Sequence, residues 1–420
     1  MRLINCKNKN YIKKIRSILE DRRKKNISKS KVVKKILQDI KKNKKQALLK
    51  YEKKFSKNTK IIISKKEINK AISSLNPKIK KSIDFAYKRI FNFHLKQKVK
   101  NIYYKDNFNN KLEYKYFPLE SVGIYVPANL PSTLLMNGIP AKIAKVKRIV
   151  LANPKLNGKL NAAVLYTAKK IGIKEIYSMG GAQAIGSLTY IQKVNKIIGP
   201  GNIFVAEAKK EVFGEVGIEG MIAGPSEITV LADKNTNIDE IATSLIGQAE
   251  HDINSQCILI TKDKNIIKKT QKSIKKNLPL LNRKKIIKES LKKNGLLILA
   301  KSNNQIINII NEIAPEHLEL NVKNSNNILN KIKNAGSICI GSYSAMAVTD
   351  YNVGTNHVLP TFGSAKFSSG LNLNDFYKKI SHIKLSKKGI EVIGKQAITL
   401  AEYEKLIGHA QSIKSRIRRN

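Results

Sequence analysis

Near the middle of the chain, Gly247-Gln248-Ala249-Glu250-His251-Asp252-Ile253-Asn254-Ser255-Gln256 closes an amphipathic segment that opens after Asn237. Asp239 and Glu240 fall in the first turn of the helix this pattern predicts, with Ile241, Leu245 and Ile246 on its apolar side. On such a helix Gln248 and His251 stand at i and i+3. Their amide oxygen and imidazole can then converge on one point, which is metal-ligand spacing, although glutamine is an uncommon zinc ligand. A polar helix end that merely caps and solvates itself would carry the same residues.

Three further stretches concentrate polar chemistry. In Ala314-Pro315-Glu316-His317-Leu318-Glu319-Leu320 an acid and a histidine are neighbours after a proline-fixed turn, so both can serve one substrate only from a turn or a strand end. Asp350-Tyr351-Asn352-Val353-Gly354-Thr355-Asn356-His357 has the polar, glycine-containing composition of an active-site loop. Glu402-Tyr403-Glu404-Lys405-Leu406-Ile407-Gly408-His409 lies near the C-terminus. Of the 6 histidines, His251, His317, His357 and His409 lie in these stretches with an acid nearby, which points to a metal or acid/base site.

The elements that must position these residues read as follows. Residues 1 to about 120 look like lysine-rich helices, Lys9 to Glu20, Lys31 to Phe55, Lys66 to Leu75 and Pro77 to about Val99, with His94 a surface or packing residue. From Ser121 short apolar runs alternate with helical patterns. Strands are expected at Val122–Val126, Arg148–Ala152, Glu175–Met179 and Lys196–Ile198, and helices at about Pro140–Lys145, Asn161–Ile171, Ala182–Thr189 and Ile203–Phe213. A second such unit follows from Ile228 to Ile340. Repeated strand and helix mean an α/β fold with parallel sheets, and ligand sites are expected at the carboxyl ends of the strands.

Two glycine turns, Gly180-Gly181-Ala182-Gln183 and Gly199-Pro200-Gly201-Asn202, each follow a strand and precede a helix, where backbone N–H groups could meet a phosphate. Neither is a G-x-G-x-x-G, since Phe204 holds the fingerprint position in the second, and ordinary tight turns would look the same.

With 420 residues the chain has room for more than one core. No run is long and apolar enough for a membrane span, and Met1-Arg2-Leu3-Ile4-Asn5-Cys6 lacks the core of a signal peptide, so a soluble cytoplasmic protein is expected. Cys6, Cys257 and Cys339 have no C-x-x-C spacing and read as reduced thiols. The formal charge of +50 implies weak, salt-sensitive polyanion binding. Lysines spread over helix after helix, with no Trp and no alternation of basic and aromatic residues, argue against specific nucleic-acid recognition.

Taken together with Ala223-Gly224-Pro225-Ser226-Glu227 and the two glycine turns, the four polar stretches resemble the histidinol dehydrogenase family over nearly the whole chain. The resemblance implies two incomplete Rossmann-like parallel-sheet units, one inserted in the other, with helical termini. Residues 1–120 would hold the helical N-terminal segment and the start of the first unit, 121–226 the inserted NAD-side unit, 227–371 the rest of the first unit, and 372–420 a C-terminal helical segment. The implied activity is oxidation of L-histidinol through histidinal to L-histidine, with NAD and Zn2+. The resemblance assigns zinc to Gln248, His251, Asp350 and His409, and catalysis to Glu316 and His317. It assigns substrate contacts to Ser226, His357 and Glu404 beside His317 and the zinc ligands, and NAD contacts to Tyr125, Gln183 and Asn202. It also implies a homodimer in which Glu404 and His409 act on the partner's site. The chain departs from the family pattern at Val126-Pro127-Ala128-Asn129-Leu130-Pro131-Ser132-Thr133 and at Thr189–Val194, both on the presumed NAD side. An alternative chemistry would use Cys257 as nucleophile in an aldehyde oxidation; a non-enzymatic alternative is a basic polyanion-binding protein.

Overall fold

Continuous apolar runs bounded by helices make strands that are buried on both faces, and such strands build the two large sheets of this protein. The computed structural model describes residues 1–24, 30–219 and 224–418. One sheet has six strands, all parallel, in the order Arg2–Asn5, Leu296–Leu299, Gln256–Thr261, Glu227–Ala232, His317–Asn321 and Ser337–Ile340. The other has five parallel strands in the order Glu175–Tyr177, Arg148–Ala152, Ser121–Tyr125, Lys196–Ile198 and Gly217–Ile218. The chain starts in the six-stranded sheet, builds the five-stranded one, and returns to complete the first. The fold is therefore α/β, with one parallel-sheet unit inserted in the other. Two apolar clusters cover the faces of each sheet.

Several elements differ from their sequence reading. The first 120 residues are not only helical: Arg2–Asn5 is a strand, and Ile102–Lys105, Lys111–Pro118 and Tyr377–Lys384 form an antiparallel three-stranded sheet. Its strands are largely exposed, so lysine replaces the apolar alternation that would have marked them. The helix expected at Pro140–Lys145 runs over Pro131–Ile143, with Pro131 in its first turn and Pro140 inside. Most of it is buried on every side, and no 3.6-residue stripe marks its start.

The helix Pro77–Leu95 supports the loop that carries Asp350 and His357. Arg89 donates from Nε to the Asn352 carbonyl at 2.7 Å and from Nη2 to that of Val353 at 3.1 Å. His94 is a fully buried packing residue. Its Nδ1 lies 2.9 Å from the Ile90 carbonyl, and its Nε2 lies 3.3 Å from Asn356 Nδ2, which in turn donates to the Met136 carbonyl.

Candidate active site

The helix Ile238–Ala249 starts at Asn237, whose side chain accepts from Asp239 N–H, and its axis runs back along the six-stranded sheet. Its last turn therefore arrives at the amino end of the next strand, Gln256–Thr261. There it meets Ser226, which precedes Glu227–Ala232, and Glu316 and His317, which open His317–Asn321. The expectation of a site at the carboxyl ends of the strands is thus reversed for this sheet. Only the five-stranded sheet presents carboxyl ends, through Pro127 after Ser121–Tyr125 and Pro200 and Gly201 after Lys196–Ile198. A cavity of about 540 Å³ lies between, lined on one side by those residues and on the other by Ser226, Gln248, His251, Glu316, His317, Asp350 and His357.

Gln248 and His251 both line this cavity, but not from one helix face. The helix ends at Ala249 with Glu250 as its cap, and His251 lies in the following turn, its N–H reaching the Gln248 carbonyl at 3.3 Å. Gln248 is buried, and among the described residues its Oε1 has no hydrogen-bond partner. His251 is open to the cavity, yet the protein around it lowers its pKa by desolvation. Asp350 caps the short helix Met346–Thr349, and burial raises its carboxyl to about 7. His357 Nδ1 lies 2.8 Å from the Asp350 carbonyl, and burial lowers its imidazole to about 4.

Glu316 and His317 leave the helix Asn303–Ile313 through Ala314, which adopts the left-handed conformation at φ 48. Desolvation acts on the two neighbours in opposite senses. It raises the Glu316 carboxyl well above the carboxylate range, and it lowers His317 to about 3, with His357 and His251 adding to the effect. Glu316 Oε2 accepts from Glu227 N–H at 2.7 Å, and Glu316 Oε1 lies 3.9 Å from His317 Nε2. Among the described residues, His317 Nδ1 is buried without a partner.

Residues that the sequence did not single out hold this arrangement. Arg22 donates to the Glu227 carboxylate and to the Pro225 carbonyl, the latter at 2.9 Å, and so pins the Gly224-Pro225-Ser226-Glu227 turn; Ala223 lies outside the described residues. On the five-stranded side Tyr125 Oη accepts from Gly181 N–H at 3.3 Å, and the Asn202 side chain caps the helix Ile203–Val212. Gln183 donates from Nε2 to Glu52 Oε1 at 2.9 Å, and the same oxygen accepts from Gly180 N–H. Neither Glu52 nor Arg22 belongs to a motif, and only tertiary contact reveals them. Cys257 is fully buried, its Sγ lies 3.3 Å from the Leu245 carbonyl, and burial pushes its thiol up to about 12. That environment opposes a thiolate nucleophile.

The two ends of the cavity differ electrically. Gln248 sits in the last turn of its helix, where the macrodipole favours a cation, and its amide oxygen, the His251 imidazole and the Asp350 carboxyl, which burial raises to about 7, are donors an incoming divalent metal would use. The opposite wall holds Ser132 and Thr133 in the first turn of the helix Pro131–Ile143 and the Pro200-Gly201 turn just before the helix Ile203–Val212, where backbone N–H groups favour an anion such as a nucleotide phosphate; Tyr125, Gln183 and Asn202 do not line the cavity. Among the described residues no three His, Cys, Asp or Glu side chains gather as a ready metal group. Glu404 and His409 are exposed and do not line the cavity within one chain.

The family model for histidinol dehydrogenase matches residues 19–417. The chain is 58% identical over 426 residues to the histidinol dehydrogenase of Pelagibacter ubique (strain HTCC1062), covering 100% of each. It is 40% identical over 426 residues to histidinol dehydrogenase 1 of Nostoc sp., covering 99% of each. Among solved structures, histidinol dehydrogenase from Elizabethkingia anophelis superposes with a TM-score of 0.88 at 40% identity, covering 93% of this chain and 92% of that one.

Proposed function

This chain belongs to the histidinol dehydrogenase family, and we propose that it oxidises L-histidinol twice, through histidinal to L-histidine, with NAD and a zinc ion. The observation that carries this reading is the single cavity in which Gln248, His251 and Asp350 share space with Glu316 and His317. Zinc would be held by Gln248, His251 and Asp350, with His409 from a second copy, and would supply a fixed point of attachment for the amino alcohol. NAD, bound at the five-stranded side near Tyr125, Gln183 and Asn202, would accept the hydride of each oxidation.

The chain's own residues then do the following. Ser226 and His357, joined by Glu404 from a second copy, contact the substrate and limit its orientation. His317, neutral because its pKa is depressed to about 3, accepts the hydroxyl proton as the carbinol carbon loses hydride. Glu316, which burial holds toward its protonated form, takes, once ionised, the proton from the water that adds to the aldehyde before the second oxidation. Each step releases one hydride and its proton, and the added water supplies the second carboxylate oxygen. The buried thiol of Cys257 takes no part.

The test is NADH formation from limiting L-histidinol and excess NAD, with a chelator and with zinc added back. About two NADH per histidinol, lost on chelation and restored by zinc, is the expected result. No NADH from a folded, zinc-loaded protein would overturn the proposal.

A further inference from the structure

Lys209, on the helix Ile203–Val212, and Glu219, just past the strand Gly217–Ile218, are 5% and 6% exposed, and Lys209 Nζ lies 2.8 Å from Glu219 Oε1. Both grip one further residue. Gly199 N–H donates to Glu219 Oε1 at 2.7 Å, and Lys209 Nζ donates to the Gly199 carbonyl at 2.5 Å. Gly199 opens the turn whose Pro200 and Gly201 line the cavity, and Glu219 lines it too. The turn has no freedom on its other side, since Gly199 sits at φ 103 and a Cβ there would lie 2.0 Å from the Tyr125 carbonyl oxygen. Among the described residues, Glu219 Oε2 is buried without a hydrogen-bond partner.

A buried ion pair is a poor stabilising device, because desolvating two charges offsets most of their attraction. This one is spent on fixing a single peptide in the cavity wall, and it leaves an acceptor oxygen over. We propose that Lys209 and Glu219 are positioning residues for the dinucleotide. They hold the Gly199-Pro200-Gly201 turn in its binding geometry before the cofactor arrives, and Glu219 Oε2 accepts from a hydroxyl or amide donor of the bound nucleotide. This rests on the reading that NAD is the cofactor.

The experiment titrates NADH into the zinc-loaded protein and follows NADH fluorescence, which no Trp in this chain obscures. The double variant Lys209→Met/Glu219→Gln removes both charges together and so leaves no lone buried ion. It is expected to melt near the wild-type temperature, to bind NADH about tenfold more weakly or worse, and to show a raised KM for NAD with kcat and the KM for L-histidinol little changed. Lys209→Arg, which keeps charge and donors, should recover most of the affinity. Wild-type NADH affinity in the folded double variant would overturn the inference while leaving the cofactor reading intact. Should the double variant not fold, Glu219→Gln alone is read in the same way. Failure of the wild-type protein itself to bind NADH would instead remove the cofactor reading, and the inference with it.

Discussion

At the residue scale, burial decides what Glu316 and His317 can do. An imidazole lowered to about 3 is unprotonated across the physiological range, and the same depression costs stability in acid. Its folded pKa lies below the ordinary value of about 6.5, so its contribution is present above that value and is lost as pH falls from there toward about 3. His317→Gln, which cannot titrate, should therefore flatten the fall in unfolding free energy between these limits in chelator-treated protein, by on the order of a few kcal/mol at most. The same substitution should slow turnover by about 100-fold or more, the range for loss of a general base. It should leave zinc content unchanged. His251→Asn should do the reverse for the metal, lowering zinc bound after dialysis as measured by atomic absorption. Full activity in both variants would sink the assignment of roles.

At the element scale, the site depends on how the parallel strands place their ends. Gly199 shows the constraint, since it combines a positive φ with contact against the Tyr125 backbone. Gly199→Ala should cost about 1–3 kcal/mol for the backbone conformation alone, with the clash adding to it. The strand Ser121–Tyr125 should be displaced, and urea denaturation should register a lower midpoint at an unchanged slope. An unaltered midpoint would mean that the turn relaxes freely, against the close approach of the two backbones. The strands around this turn were legible in the sequence because fully buried strands read as unbroken apolar runs. The stretches that carry His251, Glu316, His317, Asp350 and His357 to one cavity stood out because histidine and acid contrast with lysine, and Gln248 through its spacing to His251. Which ends of the strands they occupy was not legible, since direction along a sheet follows from crossovers and not from composition. Arg22, Glu52, Lys209 and Glu219 were hidden for a related reason. In a chain with 80 Lys and Arg residues, a buried cation looks like any solvated one until its partner, distant in sequence, is placed beside it.

At the scale of the whole molecule, one chain leaves its C-terminal segment without an evident task. The helices Lys387–Tyr403 and Ile407–Ile417 pack on each other, yet Leu400, Tyr403 and Ile407 are 62%, 86% and 55% exposed, as are many apolar residues of the antiparallel sheet. Glu404 and His409 share that exposed region and do not line the cavity that holds Gln248, His251 and Asp350. A symmetric pair would bury the apolar surface and bring each tail to the other subunit's cavity, since an isologous interface exchanges contacts in both directions. That arrangement makes a sharp prediction. His317→Gln and His409→Asn homodimers should each be nearly inactive. Co-refolding the two in equal amounts should restore activity, because a mixed dimer joins an intact core from one chain to an intact tail from the other in one of its two sites. With random pairing the recovery should approach about a quarter of the wild-type rate. If His409 served its own chain, every site in the mixture would carry one lesion and mixing would restore nothing.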